Sequence, residues 1–161
     1  MSSDKAYITI LGRSSWAMVN SYYAVLRQEN FLPDVIHIFT EKKYESYAPK
    51  IREAFGILNS EFGIKPSIDV HTVEDVDFIA AGKQMSETIQ NLKRAGMEVA
   101  LDITPGRKAL IIGALIPAMK QDLEHIYYLE ITDMSDAARP YMEIPLQQQK
   151  LWDLKAKGAT R

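Results

Sequence analysis

The stretch Ala100–Leu115, ALDITPGRKALIIGAL, runs from a strand-like segment through a short polar turn into a helix. Glu98–Ile103 (EVALDI) has strand length and apolar, β-favouring residues. Ala109–Met119 is apolar nearly all round, which predicts a helix set deep against a sheet. Pro117 predicts a kink or an early end to that helix. Between the two, Thr104 reads as an N-cap and Pro105 as the first helical residue. A strand feeding straight into a helix is the half-unit from which parallel sheets are built.

The same half-unit recurs on both sides of this stretch. Ala6–Leu11 (AYITIL), Asp34–Phe39 (DVIHIF), Ser67–Val73 (SIDVHTV) and His125–Ile131 (HIYYLEI) are further strand-length apolar runs. Helical spacing joins Val19, Tyr22, Tyr23 and Leu26, then Tyr44, Tyr47, Ile51, Phe55, Leu58 and Phe62, then Phe78, Met85, Ile89 and Leu92. Gly63 and Gly96 stand where helices stop. The order β-α-β-α-β-α-β-α-β predicts an α/β fold, a Rossmann-like doubly wound, mainly parallel sheet in a single domain. The domain is expected to span residues 1–144. Arg139–Ile144 reads as an optional edge strand and residues 145–161 as a tail whose Pro145–Ala156 part forms a short polar helix.

Composition narrows the function. With 161 residues the chain is one domain, and no room remains for a second catalytic one. It contains no Cys, so disulfides, thiolate metal sites and thiol nucleophiles are excluded. A formal net charge of −2 argues against coating long DNA or RNA. There is no signal peptide and no bilayer-length apolar run, which predicts a soluble, cytoplasmic protein without membrane contact. His37, His71 and His125 fall inside strands without metal-ligand spacing, so no metal and no cofactor are expected.

In an open parallel sheet of order 3-2-1-4-5, ligands bind beyond the carboxyl ends of the strands where the order reverses. The loops after strands 1 and 4 meet there. The first is Gly12-Arg13-Ser14-Ser15, with Ser14 or Ser15 as N-cap. The second is Asp102-Ile103-Thr104-Pro105-Gly106-Arg107-Lys108. Each aims a helix N-terminus at one crevice, and Arg13, Arg107 and Lys108 add positive charge to it. That cluster suits phosphate. Asp102 is the carboxylate at the right strand end, either a general base or a group fixing loop N–H donors or a nearby cation. Tyr44 and Tyr47 follow strand 2 on the same side, where they either stack a base or belong to the core. G-x-G-x-x-G, G-x-x-x-x-G-K-[ST] and G-x-S-x-G are all absent.

Residues 100–115 are similar to the strand–[Thr]-[Gly/Pro]-Gly-x-Lys–helix signature of CARF domains, the CRISPR-associated Rossmann folds. The Gly12–Ser15 loop resembles the family's other ligand loop, and the element order extends the likeness over residues 6–144. The resemblance implies a homodimer binding a cyclic oligoadenylate, the type III CRISPR second messenger, across its two-fold axis. Some members sense the ring for an effector, and others, the ring nucleases, cut it. Carried over, Thr104, Gly106, Arg107 and Lys108 would hold or polarise phosphate, and Ser14 or Ser15 would contact the ribose and phosphate of the scissile nucleotide. Gly12, Arg13, Asp102, Pro105 and Tyr44 complete the expected ligand-binding set by their position in the chain. Lys108 and Ser14 or Ser15 would be catalytic.

That chemistry needs no metal. The ligand's own 2′-hydroxyl can attack the phosphodiester if it is held in line and the developing charge is neutralised. Lys108 suits the neutralisation, Arg107 a bidentate phosphate clamp, and Ser14 or Ser15 the orientation of the 2′-hydroxyl. The absence of an effector domain favours a stand-alone ring nuclease, with cyclic tetra-adenylate preferred over the hexa-adenylate. A non-cleaving sensor and an ordinary nucleotide binder are the competing expectations.

Overall fold

The computed structural model describes residues 3–74 and 77–156. Its elements are β1 (Lys5–Leu11), α1 (Ser15–Ala24), β2 (Val35–Glu41), α2 (Ala48–Glu61), β3 (Ser67–Val73), α3 (Phe78–Arg94), β4 (Glu98–Asp102), α4 (Lys108–Ala118), β5 (His125–Ile131) and β6 (Gln149–Asp153). One six-stranded sheet has the order β3-β2-β1-β4-β5-β6. The first five strands run parallel and β6 is antiparallel to β5. The expected Rossmann-like order is therefore present, with β1 and β4 as central neighbours.

Alternation along β1 explains both layers of the core. Ala6, Ile8 and Ile10 join Met85, Ile89, Leu110 and Ala114 under α3 and α4. Tyr7 and Leu11 join Tyr22, Ile51 and Phe55 under α1 and α2. A strand covered on both faces is mostly apolar, which is why AYITIL reads as a nearly continuous run, with the buried Thr9 its polar exception. Helices α3 and α4 touch backbone to backbone. A Cβ at Gly82 would meet the Gly113 carbonyl oxygen at 2.1 Å.

The tail differs from expectation. Arg139–Ile144 is not a strand but holds a 3₁₀ turn at Tyr141–Glu143. In place of a polar helix over 145–156 there is a 3₁₀ turn at Leu146–Gln148 followed by β6. Without β6, the outer edge of β5 would present unpaired backbone groups. The pairing sets Leu151 against Leu129 and Trp152 against Tyr128, and Trp152 Nε1 donates to Glu130. Residues 157–161 of the expected tail lie outside the described residues.

Helix α4 is also less deep than its composition predicts. Leu110, Ala114 and Ala118 are buried, but Ile112, Ile116 and Met119 are 54%, 62% and 77% exposed. It ends at Ala118, one residue beyond Pro117. Among the described residues, no helix is long and apolar enough to cross a membrane.

Candidate functional site

The loops after β1 and β4 leave adjacent strands at their carboxyl ends and touch. A Cβ on Gly12 would lie 2.3 Å from the Pro105 carbonyl oxygen, so only glycine fits this crossing. Gly106 is less confined: a Cβ there would lie 3.0 Å from side-chain atoms of Ile10 and Ile111. Gly12 is required by close approach to backbone, not by a left-handed conformation, whereas at Gly106 the Ile10 and Ile111 side chains would have to give by a few tenths of an ångström.

Ser14 is the N-cap of α1, its Oγ accepting the Ala17 N–H at 3.1 Å. Ser15 is the first helical residue and Arg13 is exposed at the loop tip. The second loop is built differently from the sequence expectation. Thr104 is not the N-cap of α4 and Pro105 is not its first residue. The N-cap is Arg107, without a side-chain cap bond, and Lys108 opens the helix. Thr104 is held elsewhere: its N–H donates to Asp102 Oδ1 at 2.9 Å, and its Oγ1 accepts the Leu129 N–H at 2.9 Å. These bonds tie the turn to β4 and β5 and delay the helix by one turn.

Asp102, the last residue of β4, has no exposure. Its Oδ2 accepts from Tyr7 OH at 2.8 Å, Ser21 Oγ at 2.6 Å and Thr9 Oγ1 at 3.3 Å. Burial pushes its carboxyl up from the usual range, while hydrogen bonds from Ser21, Thr104 and Tyr7 pull the other way. Burial, with the neighbouring Asp102 second, pushes the Tyr7 phenol well above its ordinary value. Asp102 therefore ties α1, β1 and the second loop together from below. Of the two roles open to it in the sequence, the arrangement suits fixing the loop N–H.

Arg107 lies against β2. Its Nε and Nη2 donate to Glu41 Oε2 at 2.9 Å and Oε1 at 2.5 Å, and its guanidinium covers the Phe78 ring at 5.0 Å. Lys43 Nζ is 3.7 Å from the same carboxylate. Lys108 is exposed. Tyr44 and Tyr47 belong to a 3₁₀ turn, Lys42–Tyr47, that precedes α2 instead of opening it. Their rings stack at 6.2 Å, and Tyr44 packs partly buried on the α1/α2 core.

Sequence reasoning missed Glu41, Tyr7, Thr9 and Ser21. A signal existed for Glu41, a carboxylate two residues past the expected end of strand 2 and so at the same sheet edge as Gly12. Ser21 stands beside Tyr22 on α1, a polar break in an apolar stripe. The histidines lie away from the crevice. His37 Nδ1 faces His71 Nε2 at 2.8 Å, and His125 sits between Asp153 and Glu98 at 2.7 and 2.9 Å. Among the described residues, no group of three His, Asp or Glu side chains is arranged to hold a metal ion.

At the level of sequence no protein-family model matches the chain, and neither does any curated protein. Solved structures do match. A type III CRISPR defence DNA nuclease activated by cyclic oligoadenylate superposes with a TM-score of 0.60 at 14% identity, over 82% of this chain. Can2 from Sulfobacillus thermosulfidooxidans, in complex with cyclic tetra-adenylate, gives 0.56 at 14% identity over 82%. Csm6 from Enterococcus italicus, bound to cyclic hexa-2′-fluoro-hexa-dAMP, gives 0.55 at 13% over 82%. The chain has the fold of CARF-domain proteins. It spans 19%, 33% and 34% of those three chains, so the likeness concerns a part of each and not its whole length. The Gly12–Ser15 and Asp102–Lys108 loops follow the carboxyl ends of the neighbouring strands β1 and β4 and meet at Gly12 and Pro105.

Proposed function

We propose that this CARF-fold chain binds cyclic oligoadenylate as a two-fold dimer and cleaves it without a metal. The observation that supports the reading is the close crossing of Gly12 and Pro105, which stand two and three residues before the helix starts at Ser14 and Lys108. Backbone N–H groups at those starts, with the Lys108 and Arg13 side chains, supply donors and charge for phosphate. The ligands carried by two of the structural neighbours, a cyclic tetra-adenylate and a cyclic hexa-adenylate analogue, support the ligand class. The tetra-adenylate is the proposed ring.

The dimer reading rests on α4. Ile112, Ile116 and Met119 recur at helical spacing on its exposed side, and Ile79 of α3, 87% exposed, lies by the same cleft. Covering an apolar face with its own copy presents every loop twice to a ring of matching symmetry.

In the proposed reaction the ligand's 2′-oxygen attacks the adjacent phosphorus, and the bond from phosphorus to the 5′-oxygen breaks. The products are a 2′,3′-cyclic phosphate and a 5′-hydroxyl. The proton leaving the 2′-oxygen ends on the 5′-oxygen, and no water is consumed. Ser14 or Ser15 orients the 2′-hydroxyl; Ser14 already accepts from Ala17 and keeps its own hydroxyl proton to donate. Lys108 neutralises charge developing at phosphate and leaving oxygen.

Incubation with cyclic tetra-adenylate in EDTA, followed by mass spectrometry, tests this. Linear products ending in 2′,3′-cyclic phosphate are expected. Tight binding with the ring recovered intact leaves the sensor reading in its place. Stabilisation by mononucleotides and not by the ring overturns both.

A further inference from the structure

Arg107 has the residue type of a phosphate clamp, but its fork is already engaged. Both Glu41 oxygens receive an N–H from it, and Phe78 lies beneath its plane. Glu41 is 1% exposed whereas the Arg107 side chain is 36% exposed, so the carboxylate is the deeply held partner. A phosphate that drew the guanidinium away would strand a buried carboxylate, with Lys43 at 3.7 Å as a poorer substitute. The exchange would replace one bidentate pair by another in a wetter place, with that penalty added.

The placement of the pair adds a second argument. Glu41 is the last residue of β2, and Arg107 immediately precedes Lys108, the first residue of α4. Strands β2 and β4 flank β1, so the pair bridges over the carboxyl end of β1, where Gly12 begins the other loop. It holds the 104–108 turn from the side opposite to Thr104, whose hydroxyl is bonded to β5.

We infer that Arg107 and Glu41 form a positioning strut that survives ligand binding, and that Lys108 and Arg13, not Arg107, meet the ligand's phosphates. The ligand half of this inference rests on the proposed function; the strut half does not.

The experiment compares wild type with Glu41→Gln, Arg107→Gln, Arg107→Lys, the Glu41→Gln/Arg107→Gln double variant and Lys108→Ala. Amide hydrogen exchange over residues 103–111 is measured without ligand. The Kd for cyclic tetra-adenylate is then measured as a function of salt. For a strut, each Glu41 or Arg107 variant exchanges faster in this segment by about tenfold or more, as expected when a local opening becomes easier. Arg107→Lys, which keeps the charge but not the fork, behaves like Arg107→Gln. The double variant binds no worse than the worse single one. The slope of log K against log salt stays at the wild-type value in all of these. In Lys108→Ala it becomes measurably shallower, as the loss of one phosphate contact requires.

Unchanged exchange in the Glu41 and Arg107 variants overturns the strut. A reduced salt slope in Arg107→Gln, with Glu41→Gln binding as tightly as wild type or tighter, restores Arg107 as a clamp. If wild type does not bind the ring, the proposed function fails, and the exchange measurement still decides the strut. If Glu41→Gln fails to fold, Arg107→Lys carries the same comparison with the buried carboxylate left in place.

Discussion

The Pro105 carbonyl oxygen occupies the space where a Gly12 side chain would begin, 2.3 Å from an ideal Cβ. Two loops separated by most of the chain are thereby held in contact. Gly12→Ala must push the loops apart, because backbone cannot yield as a side-chain tip can. A destabilisation of about 1–3 kcal/mol is expected from overpacking. In a domain of this size that lowers Tm by about 2–12 °C. Ring binding should fall further than stability does, since the variant misaligns both helix starts. Thermal melting alongside titration calorimetry checks this, and wild-type affinity in a folded Gly12→Ala protein would show that the crossing is irrelevant to the ligand.

Lys108 is exposed at the start of α4, so its removal should leave the fold intact. If it neutralises charge at the reacting phosphate, Lys108→Ala slows single-turnover cleavage by about 100-fold or more, the usual loss for a donor to a developing charge. Binding should weaken less than cleavage. Equal losses in both would make Lys108 a binding contact alone.

The other end of the sheet carries a pH-dependent clasp. His125 on β5 lies between Asp153 of β6 and Glu98 of β4. Burial opposes its protonation, but hydrogen bonds and charge from Asp153 and Glu98 outweigh burial, and its pKa is raised above 6.5. The folded chain thus keeps a proton that the unfolded chain releases. That contribution is fully present below the unfolded pKa and is lost as pH rises through the higher folded one. The Tm advantage of wild type over His125→Gln should be largest at about pH 6 and should shrink on the alkaline side. A difference that does not vary with pH would mean that His125 acts only by packing.

The exposed row on α4 predicts an oligomer. Ile112→Glu combined with Ile116→Glu places two charges on that face without touching the buried Leu110, Ala114 and Ala118. The double variant should elute as a folded monomer in size-exclusion chromatography with light scattering, while wild type elutes as a dimer. It should also lose ring cleavage, because a two-fold site needs two copies. A monomeric wild type would remove this part of the reading.

Much of the architecture was legible because its causes are local. Strand runs such as AYITIL and DVIHIF, the helical spacing of Phe78, Met85 and Ile89, and stops at Gly63 and Gly96 each depend on neighbours a few residues away. Ser14 was readable as one of two candidate caps for the same reason. The tail was not. Gln149–Asp153 carries little strand pattern of its own and becomes β6 because the edge of β5 offers it a partner.

By itself, then, the sequence determined the alternating α/β order, the two loops and the residue types in them, since periodicity and turn chemistry are short-range. Only the tertiary structure decided how those residues are used. Asp102 and Tyr7 are 95 residues apart, and Arg107 and Glu41 are 66 apart. No local pattern marks such pairs. Asp102 is held as a buried anchor under both loops, Arg107 is turned toward β2, and Thr104 is bonded to β5 instead of capping α4. The physical reason is burial. Once the sheet removes Asp102 and Glu41 from water, each must find donors wherever the fold brings them, and those donors are then committed to the scaffold.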